Sequence, residues 1–319
     1  MRIVLCYPVE AQHVDQIAQA AGDAEVVAAG QQQVAGRLPD ADIFCGHAKV
    51  AVPWPKVVAR GRLKWIQSSA AGLDHCLVPE VINSEIVVSS ASGVLADQVA
   101  EHAMGLLIAT LRRFPEFARG QQKREFIRRP TADLHRKTVG IVGFGGVGRR
   151  LAQLLAPMKT RIVATDWFPV DKPPYVDQLR DAAELDWLLA AVDIVVLCAP
   201  LTDQTRGLID AAALAKMRPG SVLVNVARGP ILVEDALVEA ISSGHLSGAA
   251  IDVAEREPLP PDSELWELPN LIITPHVAGQ SARRIDDMTD FFCENLSRYL
   301  DGRPLRNLVD KRLGFPRPT

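Results

Sequence analysis

Apolar positions along the chain alternate between two patterns. Short runs rich in β-branched residues predict buried strands at 3–7, 26–28, 43–45, 63–67 and 86–89, with a helix over 10–21. From Asp97 the period lengthens, with Val99, Ala103, Leu106, Leu107 and Leu111 spaced for a long helix and Asp97 placed to cap it. A second series follows: strands at 138–142, 161–165, 193–198, 221–226, 249–253 and 271–274, with helices at 187–190, 211–217, 235–243 and 283–300. Strand–helix alternation of this kind predicts the α/β class, parallel sheets carrying helices on their faces. Between the two series, residues 112–137 are strongly charged, with acids interspersed among the basic residues. That stretch reads as a solvated connecting arm.

The second series opens on KTVGIVGFGGVGRRLAQLLAPMKTRIVATD, residues 137–166. Gly143, Gly145 and Gly148 form G-x-G-x-x-G between a strand and a helix, and Asp166 closes the next strand. The first glycine permits a tight turn, the second lets a pyrophosphate reach the backbone, and the third lets helix and strand pack closely. Unpaired N–H groups at the helix N-terminus favour the phosphates. A carboxylate where Asp166 stands can accept both adenosine ribose hydroxyls. A dinucleotide site is expected here.

Composition narrows the setting. At 319 residues, 48% hydrophobic and with a net charge of −3, the chain suits two globular domains and offers no general basicity for nucleic acid. Its five cysteines form no C-x-x-C pair, so reduced, buried thiols are expected rather than disulfides, and no metal site. No stretch reaches the roughly 18 apolar residues of a membrane span, and the N-terminal apolar run is too short for a signal peptide. A cytoplasmic protein is expected.

Ligands of parallel sheets gather at the strands' carboxyl ends. Arg228, Glu257 and His276 each follow a predicted strand of the second series. Beside a nicotinamide they make a usable set. A guanidinium grips a carboxylate with two parallel bonds, a histidine exchanges the proton that accompanies hydride transfer, and a carboxylate orients the ring. In the first series, the small residues around Gly72 leave backbone N–H groups approachable, which fits either an anion nest or an ordinary turn.

Over nearly its whole length the chain resembles the D-isomer-specific 2-hydroxyacid dehydrogenases. The resemblance rests on SSAAGLD at 68–74, GVLADQVAEHAMGLLIATLR at 93–112, KTVGIVGFGGVG at 137–148 and VLCAPLTDQTRGLID at 196–210. It continues through LVNVARGPILVEDAL at 223–237, AIDVAEREPLP at 250–260 and ITPHVAG at 273–279. It implies two Rossmann-like, doubly wound domains with a cleft between them. Residues 1–98 and 285–319 would form the substrate-binding domain and 99–284 the NAD-binding one. It implies that Arg228 binds the substrate's carboxylate and carbonyl, that His276 is the acid/base with Glu257 as its partner, and that Ala71 and Gly72 hold the carboxylate through backbone N–H groups. Toward NAD it implies Gly146 and Val147 at the pyrophosphate and Asp166 at the ribose. Ala199, Pro200, Ala227, Asp252 and Gly279 would line the cofactor path, which Val94 and Gln98 would approach from the first long helix. A homodimer through the cofactor domains is also implied.

The chain departs from the family pattern in places. Gly146-Val147 replaces a common Arg-Ile, and Ala254 stands where many members carry an aromatic residue. The expected activity is hydride transfer between NAD(H) and a small 2-keto or D-2-hydroxy acid. Formate oxidation or a dinucleotide-sensing, corepressor-like role on the same scaffold are the alternatives. His47, Lys49, Trp54 and His75 are the positions available to select the substrate's side chain, while Glu101 and His102 read as helix-packing polar residues.

Overall fold

The computed structural model describes residues 1–318 and divides into two compact units, Met1–Leu95 with Ser281–Thr319, and Ala96–Gln280. The crossings thus fall at Leu95/Ala96 and Gln280/Ser281, a few residues before the 98/99 and 284/285 that the resemblance implies.

The first unit holds strands β1 (Arg2–Cys6), β2 (Glu25–Ala28), β3 (Ile43–Gly46), β4 (Trp65–Ser68) and β5 (Val87–Ser89), all parallel in the order β2-β1-β3-β4-β5. Successive side chains point to opposite faces, and both faces are buried. Ile3, Leu5, Ile43 and Trp65 pack against Ile17 of the Ala11–Ala21 helix and against Met288, Phe292 and Leu296 of the Arg284–Leu300 helix. Val4, Phe44, Ile66 and Val88 pack on the other side with Val34, Val57 and Val81. Two-sided burial explains why these strands read as continuous apolar runs. A buried polar chain fixes the returning helix. Trp65 Nε1–H donates to Ser89 Oγ at 2.8 Å, Ser89 Oγ–H donates to Gln67 Oε1 at 2.7 Å, and Asn295 Nδ2–H donates to the same oxygen at 2.9 Å.

The second unit holds β6 (Thr138–Val142), β7 (Arg161–Asp166), β8 (Gln178–Asp181), β9 (Ile194–Leu197), β10 (Ser221–Asn225), β11 (Leu246–Ile251) and β12 (Leu271–Ile273). These strands are parallel in the order β12-β11-β10-β9-β6-β7-β8. Ile141, Ala164, Val196 and Val224 face Leu107, Leu151 and Leu155 on one side. Val163, Val195, Leu223 and Ala249 face Leu188, Leu214 and Leu237 on the other. Each fully buried Leu or Phe contributes about 1.5–3 kcal/mol relative to exposure.

The structure corrects two expectations and adds a strand. Asp97 does not cap the long helix. The helix begins at Ala96, and Asp97 lies in its first turn, paired with Arg150. The charged arm contains a helix, Phe114–Gln122, whose first turn accepts Pro115 because a proline lacks only an N–H that would be unpaired there. The edge strand β8 is polar, QLRD, and gives no apolar run to detect.

All five cysteines are free thiols. Burial pushes Cys76 and Cys198 up to about 12, and Cys6 and Cys293 up to about 11, with smaller contributions from Asp74 at Cys76 and Asp290 at Cys293. They stay protonated at neutral pH and are poor nucleophiles.

Candidate functional site

Because the seven strands of the larger sheet are parallel, their carboxyl ends share one edge. Along it stand His276 after β12, Asp252 after β11, Ala227 and Arg228 after β10, Ala199 and Pro200 after β9, Gly143 after β6 and Asp166 ending β7. Adjacent strands are about 4.8 Å apart, so residues separated by dozens of positions in sequence become neighbours. The connection from β6 runs to β7 on one side, while β9 pairs on the other. This is a switch point, where open parallel sheets bind ligands.

The glycine turn fits a pyrophosphate. Gly143 has φ 93°, a left-handed value that glycine tolerates, and a Cβ there would lie 2.5 Å from the Ala199 nitrogen. A Cβ on Gly148 would lie 2.2 Å from the Gly143 carbonyl oxygen, so the helix Gly146–Leu155 could not approach the strand with a larger residue. At Gly145, by contrast, a Cβ would meet nothing within 4 Å. The open space lies beside the helix N-terminus, where Gly146 and Val147 contribute the first N–H groups. Asp166 is already tied to this turn. Its Oδ2 accepts from Phe144 N–H at 2.6 Å and its Oδ1 from Phe168 N–H at 2.8 Å. A carboxylate has about four acceptor positions, so two bonds leave room for ribose hydroxyls.

At the other end of the edge, His276 Nδ1 lies 2.7 Å from Glu257 Oε2, both side chains being about half exposed. Glu257 Oε1 also accepts from Ala254 N–H at 3.2 Å, which fixes the carboxylate's orientation. His276 itself has φ 53°, a conformation that costs a non-glycine residue about 1–3 kcal/mol unless its surroundings enforce it. Asp252 enforces it. Its carbonyl accepts from His276 N–H at 2.7 Å, and its buried carboxylate accepts from Val277 and Ala278 N–H, each at 2.9 Å, and from the Thr274 hydroxyl at 2.6 Å. Asp252, which the family resemblance places along the cofactor path, directs its carboxylate into the turn bearing His276.

The Arg228 turn is braced by buried Asn225, whose Oδ1 accepts from Ala227 N–H at 3.0 Å and whose Nδ2–H donates to the Arg228 carbonyl at 3.1 Å. Arg228 Nη1–H also donates to the Ala227 carbonyl at 2.8 Å. Next to it, a Cβ on Gly229 would lie 1.9 Å from the Ala254 carbonyl, so the Arg228 turn rests directly on the segment leading to Glu257. Asn225 and Thr274 escaped the sequence reading. Their signal was position alone: each is a polar residue at the end of an apolar strand.

Other predicted residues lie elsewhere. Gln98 sits on the Ala96–Leu111 helix and Gly279 follows the His276 turn, whereas Val94, Ala71 and Gly72 belong to the first unit. There the loop after β4 is shaped by Ser68, whose Oγ accepts from Ala70 N–H at 3.1 Å. Among the described residues, neither the Ala71 nor the Gly72 N–H meets an acceptor, as an anion nest requires. His47 and His75 stack face to face at 3.9 Å in the same unit. The structure thus brings Glu257 to His276 and sets Arg228 and the glycine turn on one sheet edge, while the Ala71–Gly72 loop belongs to a separate unit.

Residues 104–278 match the family described as D-isomer specific 2-hydroxyacid dehydrogenase, NAD binding domain. The chain is 34% identical to the glyoxylate reductase of Thermofilum pendens over 271 residues, covering 82% of this chain and 78% of that one. Among solved structures, it is similar to the NADPH-dependent glyoxylate/hydroxypyruvate reductase of Sinorhizobium meliloti in complex with NADP and sulfate. The TM-score is 0.82 at 29% identity, covering 98% of this chain and 99% of that one. A D-isomer specific 2-hydroxyacid dehydrogenase from Xanthobacter autotrophicus Py2, solved with NADPH and MES, gives 0.84 at 28% identity, again covering 98% and 99%.

The contact at Gly229 yields a prediction. Gly229→Ala should drive a methyl group into the Ala254 carbonyl and destabilise the protein by about 1–3 kcal/mol, the usual scale of overpacking. Urea unfolding checks it, and a midpoint equal to wild type would show that the turn yields freely.

Proposed function

This chain belongs to the D-isomer specific 2-hydroxyacid dehydrogenase family, and from that premise we propose that it reduces a small 2-keto acid to the D-2-hydroxy acid with NADH and runs the reverse oxidation. The observation that carries the reading is the 2.7 Å contact between His276 Nδ1 and Glu257 Oε2 on the sheet edge that also carries the glycine turn. With Nδ1–H held by the carboxylate, Nε2 is left to exchange a proton with the substrate oxygen. Reduction begins with the ring protonated on both nitrogens, and oxidation with Nε2 bare. The carboxylate holds Nδ1 and fixes the ring plane. Arg228 supplies a planar fork for the substrate's carboxylate and polarises its carbonyl. In the first unit, the Ala71 and Gly72 N–H groups offer a carboxylate a backbone nest. The bound nicotinamide supplies or accepts the hydride.

Cofactor choice follows from Asp166, whose negative charge accepts ribose hydroxyls and repels a 2′-phosphate. Arg149, which could offset that repulsion, is held by the Val170 and Asp171 carbonyls at 2.7 and 2.8 Å and lies over the Phe144 ring. NAD(H) is therefore preferred over NADP(H) in this reading. A homodimer accompanies it, since Phe114, Phe117, Phe126 and Ile127 expose apolar surface along the charged arm that a two-fold copy would cover. Free thiols suit a reducing cytoplasm, and among the described residues no helix is long and apolar enough to cross a membrane.

Three measurements check this. A panel of small 2-keto acids should consume NADH, and Arg228→Lys should lower kcat/KM by about a hundredfold or more while leaving NADH affinity nearly unchanged. Near-normal turnover in that variant removes Arg228 from the mechanism. NADH should be used more efficiently than NADPH, with Asp166→Ala narrowing the gap, and equal efficiency in the wild type refutes the assignment. Sedimentation at micromolar concentration should give a dimer rather than a monomer.

A further inference from the structure

We infer that His102 is a positioning residue for His276, acting through Thr274 and Asp252. This rests on the functional reading above, in which His276 moves the proton.

His102 lies on the Ala96–Leu111 helix, far in sequence from either partner. Its Nε2 stands 2.9 Å from Thr274 Oγ1 and 3.4 Å from Asp252 Oδ1. The proton positions follow from counting donors. The Thr274 hydroxyl has one proton and gives it to Asp252 Oδ1 at 2.6 Å, so its oxygen can only accept from His102. His102 therefore carries its proton on Nε2. The result is a relay of fixed polarity, from His102 Nε2–H to the Thr274 hydroxyl to the Asp252 carboxylate.

That carboxylate is almost wholly buried, at 1% exposure, and holds the Val277 and Ala278 N–H groups. Asp252 Oδ1 takes part on both sides, accepting from Val277 N–H and from Thr274. Its rotation sets where the 276–278 turn sits. The turn also keeps His276 at φ 53°, a conformation that reverts to an ordinary one when its anchors loosen. A buried carboxylate with one donor removed has a strong incentive to rotate toward another. His102 prevents that by locking the hydroxyl that locks the carboxylate. Packing alone would not require a donor aimed at this point. An apolar residue would fill the same half-buried place on the helix, where the His102 side chain is 24% exposed.

The test pairs a donor-free variant with a donor-bearing one. His102→Leu removes the N–H, and His102→Gln returns an amide N–H at about the reach of Nε2. Thr274→Val removes the hydroxyl while keeping the shape, and it stands in for His102→Leu should that variant not fold. Two readouts apply: kcat for keto acid reduction with NADH affinity alongside, and amide hydrogen exchange at Val277 and Ala278. The leucine and valine variants should lose about tenfold or more in kcat with NADH affinity within about twofold, and the two amides should exchange at least about tenfold faster. Glutamine should restore both. The inference is overturned if the two amides keep wild-type exchange in the donor-free variants, or if kcat stays within about twofold of wild type. It is equally overturned if glutamine fails to rescue, since the position would then need bulk and not a donor. Should the wild type reduce no keto acid at all, the functional reading fails separately, and the exchange measurement still decides whether His102 holds the turn.

Discussion

The site depends on the parallel pairing of seven strands. Parallel neighbours end at the same edge, so every strand-end residue of the larger unit faces one row of space. The sheet order then decides which chemistry is adjacent. Placing β9 between β6 and β10 sets Ala199 against Gly143, where the fit is so tight that no side chain is possible on the glycine. Placing β11 between β10 and β12 sets Asp252 between the turns that carry Arg228 and His276. Antiparallel pairing would scatter these groups over both ends of the sheet.

Much of this was legible in the chain itself. Buried parallel strands leave apolar runs, and the glycine spacing is dictated by contacts that only glycine survives, as the 2.5 Å and 2.2 Å approaches at Gly143 and Gly148 show. The association of Glu257 with His276 was suggested by their places after strands and made specific by the resemblance. Nothing in their spacing of 19 residues predicts a hydrogen bond. What stayed hidden has a common physical character. Strand β8 is polar because it lies at a sheet edge, and the helix Phe114–Gln122 has no buried residue to impose a period on its sequence. Asp252 was assigned to the cofactor path by the resemblance alone. Sequence cannot show that a carboxylate turns back to hold its own neighbouring strand's turn.

That inward turn bears on how the site works. In the proposed mechanism His276 transfers a proton, and a residue doing so from a relaxed loop would spend time in many unproductive orientations, each of which subtracts from the rate. Here the loop is short and its central residue sits in a backbone conformation that an isolated histidine would leave. Two kinds of acceptor oppose that tendency. The Asp252 carbonyl holds the His276 N–H, and the Asp252 carboxylate holds the next two. The ring is then fixed from its far side by Glu257, which is fixed in turn by the Ala254 N–H.

The division of labour between the two acids follows from their exposure. Glu257 is about 39% exposed, so water reaches the pair that it forms with the ring. Asp252 is sealed from solvent, and its carboxylate accepts from two backbone N–H groups and a hydroxyl, with His102 Nε2 3.4 Å from Oδ1. A buried carboxylate so satisfied makes a rigid anchor, since releasing any one donor leaves an acceptor without a partner. In the proposed mechanism the exposed acid attends the proton, and the buried one holds the turn still while it moves.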